Sequence, residues 1–334
     1  MEHKIGNLDN SDTSVSSALH CWSKIIVNIF STEGDQKINV VKQVFHISKI
    51  LFTPVAIAFL LFMAWQNWNV VVHVFSQAQI EYLLVAIVGW ATLYFFYPVF
   101  LISLSQSWGG TLRFWKVCFI HVNRLPARYL PGGVWHTVAR YVDFQKNGLD
   151  KRQLVALLLL ENILSLALAL LLGGIVLMFS QVNTIWLVPV ICSVLLGASL
   201  LIISLYMINR FVLQKTCSIR IATYINAGMI LAVYWLLAAC VFILYVYALF
   251  GQSEITESIR IGGVYLFSWG VGYLAFFAPQ GVGVFEFVAG NLIHSELDLV
   301  SVAIIIAGFR VVILSADILA WGTLKIFMLL KPNR

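Results

Sequence analysis

The stretch RLPARYLPGGVWHTVAR, residues 124–140, gathers Arg124, Arg128, His136 and Arg140 around the helix-breaking run Pro131-Gly132-Gly133. A guanidinium holds two oxygens of a phosphate or carboxylate at once. A helix that restarts after such a break turns its unpaired N–H groups and positive dipole end toward it. Together these features predict an anion site suited to a phosphate or other anionic head group. Arg128 and Arg140, close to the turn on either side, are its candidate ligands, and Trp135 beside His136 is a candidate wall of the pocket. The alternative for the arginines is ordinary snorkelling from a cytoplasmic loop to lipid phosphates, which is the reading preferred for Arg124 and Lys146. A second break, APQGVGVFEF at 278–287, has no arginine but repeats the pattern P-x-G-V at Pro279–Val282.

Four further ionisable residues fall inside apolar stretches: Glu161, Glu286, Arg310 and Asp317. Each costs about 2.5–3.5 kcal/mol to bury in a bilayer unless paired or wet. Glu286 lies five residues after Gly281, and a pair with Arg310 is expected, either as part of a site or as a structural tie between this segment and the last helix. Arg310 and Asp317 are seven apart, two turns along one helix face, and share a polar stripe without touching. Catalysis would need a carboxylate pair, a metal cluster or a nucleophile beside a base. The cytoplasmic segment has no D-D, D-x-D, H-x-x-x-D or Ser/His/Asp grouping, and Asp143 and Asp150 stand seven apart and otherwise isolated. The five cysteines are scattered, without C-x-x-C spacing, and read as apolar fillers. No enzyme, cofactor or metal is expected.

The elements that must carry these residues are membrane helices. Of 334 residues, 60% are hydrophobic and 11% charged, and the mean hydropathy is +0.90, far from the makeup of soluble domains. Six stretches are long and apolar enough to span a bilayer: 48–67, 80–102, 153–180, 185–208, 222–250 and 300–324. With a cytoplasmic N-terminus, 19 of the 21 Lys and Arg fall in inside segments: 5 in 1–49, 8 in 103–152, 3 in 209–220 and 3 in 325–334. The outside connections near 70, 182 and 252 contain none. That positive-inside pattern accounts for the +6 net charge without nucleic acid.

The count holds only if 103–152 and 259–299 each enter and leave on one side, as re-entrant hairpins whose Pro/Gly tips are buried in protein or line a wet cavity. The expected fold is therefore all-α and polytopic, with about six spanning helices and two re-entrant hairpins. Helix, helix, hairpin, helix covers 48–180 and repeats over 185–324 with opposite orientation, an inverted repeat facing one central site. Residues 1–46 form a cytoplasmic arm without a cleavable signal peptide, in which 18–30 is either an interfacial amphipathic helix or loosely ordered. Domain 47–330 is the membrane unit.

RYLPGGVWHTVARYVDFQKNGLDKRQLVALLLLE, followed about 150 residues later by FAPQGVGVFEFV, resembles the flippase-like transmembrane domain of lysylphosphatidylglycerol synthases and its stand-alone relatives. The resemblance covers about 45–330. Pro131, Gly132, Gly133 and Arg140 match its first motif, and Pro279, Gly281, Gly283 and Glu286 its second; Gln280 departs from the small residue expected there. The resemblance implies a stand-alone member without the synthase domain. It translocates an anionic phospholipid or polyprenyl-phosphate-linked envelope intermediate across the bacterial inner membrane, with both termini cytoplasmic. Its substrate-binding residues are then Arg128, Pro131, Gly132, Gly133, Trp135, His136, Arg140, Pro279, Gly281, Gly283, Glu286 and Arg310, supported by a buried network of Glu161, Glu286, Arg310 and Asp317. The competing readings are an accessory membrane subunit and a membrane-embedded enzyme of lipid-linked glycan or lipid modification. The lipid itself and a homodimeric assembly are left open.

Overall fold

A computed structural model describes residues 58, 62, 64–110, 112–129, 135–180, 182–214, 217–275, 278, 281–293 and 299–330. The N-terminal arm and most of the first expected span, 48–67, lie outside these residues, as do the two termini. The chain is an all-α membrane protein, and among the described residues there is no strand. Five helical runs are long and apolar enough to cross a bilayer: Ile80–Gln106, Lys151–Phe179, Thr184–Leu213, Ile221–Phe250 and Val302–Leu330. They coincide with the last five of the six stretches expected from hydropathy.

In chain order the helices are α1 (Trp68–Ser76), α2 (Ile80–Leu93), α3 (Phe96–Gln106), α4 (Phe114–Asn123), a 3-10 turn (Leu125–Tyr129), α5 (Trp135–Lys146), α6 (Lys151–Phe179), α7 (Thr184–Met207), α8 (Ile221–Phe250), α9 (Ile255–Leu274), α10 (Val284–Leu292) and α11 (Leu299–Leu330). Their ends follow local chemistry. Asp150, an isolated carboxylate in sequence, is the N-cap of α6. Its carboxylate accepts from the Arg152 N–H at 3.3 Å, and the Gln153 side chain accepts from the Asp150 N–H at 3.0 Å, a capping box that satisfies two orphan donors. Asn183 caps α7 with a single bond, its side-chain oxygen accepting from the Ile185 N–H at 3.4 Å.

Between helices in lipid, close backbone packing replaces the hydrophobic effect as the source of association. α6 lies between α7 and α9, and small residues set both contacts. A methyl group built on Gly173 would stand 2.4 Å from the Phe267 backbone nitrogen, and one on Gly263 would stand 2.4 Å from Val176 Cγ1. On the other face, a methyl on Gly197 would meet the Ala167 carbonyl at 2.7 Å. An aromatic core ties the remaining helices together. Phe242 of α8 stacks on Tyr265 of α9 at 4.9 Å and meets Phe309 of α11 edge-on at 5.0 Å. Trp90 of α2 packs edge-on against the same Phe309 at 5.5 Å, in the arrangement that aromatic quadrupoles favour.

α9 and α10 form a hairpin. Gly281 has φ +66° and lies against Gly272, where any side chain would collide with backbone, and Gly283 follows at φ +85°. Only glycine adopts these angles freely. At the far end of the hairpin, Arg260, 6% exposed, donates to the Leu292 carbonyl and pairs with Glu257. It thereby caps the C-terminus of α10. This explains one of the two basic residues that the charge count leaves outside the cytoplasmic segments. The α4–α5 pair is built differently. It is tied by side chains: His121 Nδ1 lies 3.0 Å from Arg140, and Arg124, just past the end of α4, pairs with Asp143 at 2.7 Å.

Gly173→Ala should lower the thermal stability of the detergent-purified chain, by about 1–3 kcal/mol, because α6 and α9 must separate to admit the methyl group. Gly322→Ala, with open space around it, should be neutral or slightly stabilising. Equal melting of the two variants would disprove the close-packing account.

Candidate functional site

Three ion pairs tie the elements around the two chain breaks to the long helices α6 and α11. The first centres on Arg140, which is 4% exposed in the middle of α5. Its Nη2 donates to Glu161 Oε1 at 3.1 Å and Oε2 at 3.4 Å on α6, and its Nη1 lies 3.0 Å from His121 Nδ1 on α4. The guanidinium lies 4.6 Å from the centre of the Tyr97 ring. That ring stacks on His121 at 4.1 Å and sends its hydroxyl to Glu161 Oε2 at 3.1 Å. Burial, reinforced by the positive charge of Arg140, holds the His121 imidazole well below its usual pKa. With its own proton on Nε2, the imidazole accepts a hydrogen bond from Arg140 Nη1 at Nδ1. Arg140 Nε is buried without a partner, a donor left over in an otherwise saturated cluster.

The second pair joins the 3-10 turn to α11. Asp317, 3% exposed, accepts from the hydroxyl of Tyr94, from the Tyr129 hydroxyl at 2.7 Å and from Arg128 Nη1 at 3.4 Å. Trp90 Nε1 in turn donates to the Tyr94 hydroxyl oxygen at 3.1 Å. Tyr94 and His121 rings lie 5.7 Å apart, so one polar cluster runs from Glu161 through Tyr97, His121 and Tyr94 to Asp317. In the third pair, Arg310 Nε donates to Glu286 Oε1 at 2.6 Å, while Glu286 Oε2 accepts from the Gly283 N–H at 2.7 Å. Glu286 is 1% exposed. It is both a counter-ion to α11 and the cap of α10, where its charge also suits the helix dipole.

The expected Arg310–Glu286 pair is present. Arg310 and Asp317 share α11 without touching, and each is bonded to a different element. The expected ligands Arg128 and Arg140 do flank the first break, and each is engaged by a carboxylate, Arg128 by the buried Asp317 and Arg140 by the half-buried Glu161. His136 lies beside them on α5, its Nε2 3.2 Å from Thr137 Oγ1. Pro131, Gly132, Gly133, Pro279 and the side chain of Trp135 lie outside the described residues. Arg124 pairs with Asp143 at 2.7 Å, a surface-type contact consistent with a minor role. Trp269 packs between Trp235 at 4.1 Å and Tyr273 at 5.2 Å. Among the described residues no group of His, Cys, Asp and Glu has the arrangement of a metal site.

Tyr94, Tyr97, His121 and Tyr129 are the members that sequence reasoning missed. One usable signal was present. A carboxylate at membrane depth needs more donors than one arginine supplies, and Tyr94 and Tyr97, three apart, lie on one face of an apolar span.

Replacing Arg310 by Ala should strand the Glu286 carboxylate and cost about 3–5 kcal/mol of stability. Adding Glu286→Ala should recover part of that loss, because the orphaned charge goes with it. A double-mutant cycle in thermal or urea unfolding measures the coupling, and simple additivity would refute a direct pair. Compared with known sequences, the chain matches no protein-family model, and no curated protein matches it.

Proposed function

We propose that the chain moves an anionic lipid, a phospholipid or a lipid-linked envelope intermediate, across the bacterial inner membrane, as a relative of the flippase-like domain of lysylphosphatidylglycerol synthases. The observation that carries this reading is the charge pattern at the Pro131-Gly132-Gly133 break. Arg128 before it is bonded to Asp317 on α11, and Arg140 after it to Glu161 on α6. Cations at membrane depth mark ion or substrate pathways. A head-group phosphate entering from the cytoplasmic leaflet meets arginine there, while the acyl tails stay in lipid.

An inverted repeat of halves 48–180 and 185–324 underlies the reading, with 103–152 re-entering from the cytoplasm and 259–299 from outside. The pairing pattern supports it. In the first half the helix after the break is tied to the next long helix by Arg140–Glu161. In the second the equivalent tie is Glu286–Arg310, with the charges exchanged. The segment before each break reaches across to the other half. Tyr129 donates to Asp317 on α11, and Tyr273 of α9 donates to Asn162 on α6 at 2.5 Å. Such reciprocity is what paired broken helices around one central site produce, and the basic residues concentrated in the inside segments favour cytoplasmic termini.

In a cysteine-free background, single cysteines at Val182 and Gln252 should react with an impermeant maleimide in intact cells, and cysteines near either terminus should not. Reaction at a terminus would break the proposed topology. In vesicles reconstituted with the pure chain, fluorescent phosphatidylglycerol should cross faster than in protein-free vesicles. Arg128→Gln should slow it by about tenfold, the equivalent of one charge-assisted contact, and Arg128→Lys should recover only part, since an ammonium lacks the bidentate fork. Transport by Arg128→Gln at the parental rate would refute the role given to this break.

A further inference from the structure

The phenols of Tyr94, Tyr97, Tyr129 and Tyr245 each find an acceptor, in Asp317, Glu161, Asp317 and the Ile305 carbonyl. Tyr234 of α8 and Tyr265 of α9 find none among the described residues. Tyr265 is 2% exposed, and its ring is clamped by Phe242 at 4.9 Å, Phe309 at 5.7 Å and Phe285 at 6.0 Å. Its hydroxyl is therefore fixed in place. One turn further along α9, Ser268 is fully buried, and its Oγ has no partner either. On α8, Trp235 is 4% exposed with Nε1 unpartnered, its ring 4.1 Å from Trp269, the residue beside Ser268. Tyr234 and Tyr265 lie within electrostatic reach of each other and of Arg128, and Tyr265 also of Arg310. At 1.5 Å per residue, Tyr234 stands about 20 Å along α8 and Ser268 about 20 Å along α9. Both are too deep to be interfacial anchors.

Resting on the lipid-moving function, we propose that Tyr234, Trp235, Tyr265 and Ser268 form a station midway across the membrane at which neutral donors hold the phosphate of the head group. Every one of these groups donates a hydrogen bond, and none is an acceptor alone. Such a set suits the unbridged oxygens of a phosphodiester and suits an amine or a metal cation poorly. Buried donors left without acceptors weaken a fold, so native chains rarely keep them together. A phosphate arriving between α8 and α9 supplies the missing acceptor to all of them. Their neutrality also matters, because passage needs binding strong enough to admit the ligand and weak enough to let it leave. Hydroxyls replace the water around a phosphate without pinning it as a full positive charge would. The fields of Arg128, before the first break, and of Arg310, tied to the helix after the second, both reach Tyr265. The station thus lies between the two.

A hydroxyl with no acceptor in the protein can be removed without loss of stability, which separates a ligand role from a packing one. In detergent, Tyr234→Phe, Tyr265→Phe and Ser268→Ala should each melt at or above the parental temperature. In phosphatidylcholine vesicles carrying a trace of fluorescent phosphatidylglycerol, each should slow crossing by about three- to tenfold, the loss of one hydrogen bond to a charged group. Tyr245→Phe, which strips the donor from the Ile305 carbonyl, should do the reverse, melting earlier and moving lipid at the parental rate. Radiolabelled inorganic phosphate should enter the same vesicles no faster than protein-free ones. Parental rates in Tyr265→Phe and Ser268→Ala overturn the station and leave the lipid-moving function standing. Earlier melting of either variant, or its failure to fold, also overturns the station, since the hydroxyl then serves the fold. A parental chain that does not speed the lipid at all overturns both, and entry of phosphate without lipid crossing replaces the lipid by a free anion.

Discussion

A charge far from water survives only beside its opposite, and around the first break this requirement does what apolar packing cannot. Lipid tails are as apolar as leucine, so burying a hydrophobic face against a neighbouring helix gains little over leaving it in the bilayer. An unpaired guanidinium or carboxylate, by contrast, costs several kcal/mol, and each pair has few ways to form. Arg140 is the extreme case. It is almost wholly enclosed, and α3, α4 and α6 each supply it with a partner. Remove that interaction and α4 and α5 lose their ionic tie to the long helices, while the Tyr141 hydroxyl still donates to the Leu154 carbonyl of α6.

The second break is fixed by other means. Gly281 and Gly283 turn the chain where a side chain would collide with Gly272 or strain the backbone. Glu286 caps the restarted helix, and Arg260 closes the hairpin at its far end. The first break is thus held by side-chain ion pairs from four elements, and the second by turn chemistry together with the Glu286–Arg310 pair.

How much of this was legible in the sequence depends on the range of the interaction. Spans are legible because a bilayer imposes one length and one composition on all of them, and five of the six stretches reappear as helices. Arg310–Glu286 is legible because two opposite charges stranded in apolar sequence 24 residues apart have little choice of partner. Arg128–Asp317 joins positions 189 apart, and nothing local says which face of α11 meets the 3-10 turn. The tyrosines were illegible for a chemical reason. In a membrane sequence a tyrosine is as readily an interfacial anchor as a buried donor, and only the position of the carboxylate distinguishes them. Asp150 illustrates the reverse error, an acid that looked chemically idle and turned out to start a helix.

α11 runs 32 residues, Leu299–Leu330, without a break, and carries Arg310 and Asp317 two turns apart. One is bolted to the hairpin that restarts at Gly283 and the other to the turn that ends at Tyr129. A stiff rod fastened at two points by charges of opposite sign behaves as a crankshaft. A slide along its axis drags both fastenings in the same direction, whereas a roll about its axis loads both at once. The chain therefore possesses a mechanical link between its two breaks that runs through a single helix and needs no loop, hinge or second subunit to carry it.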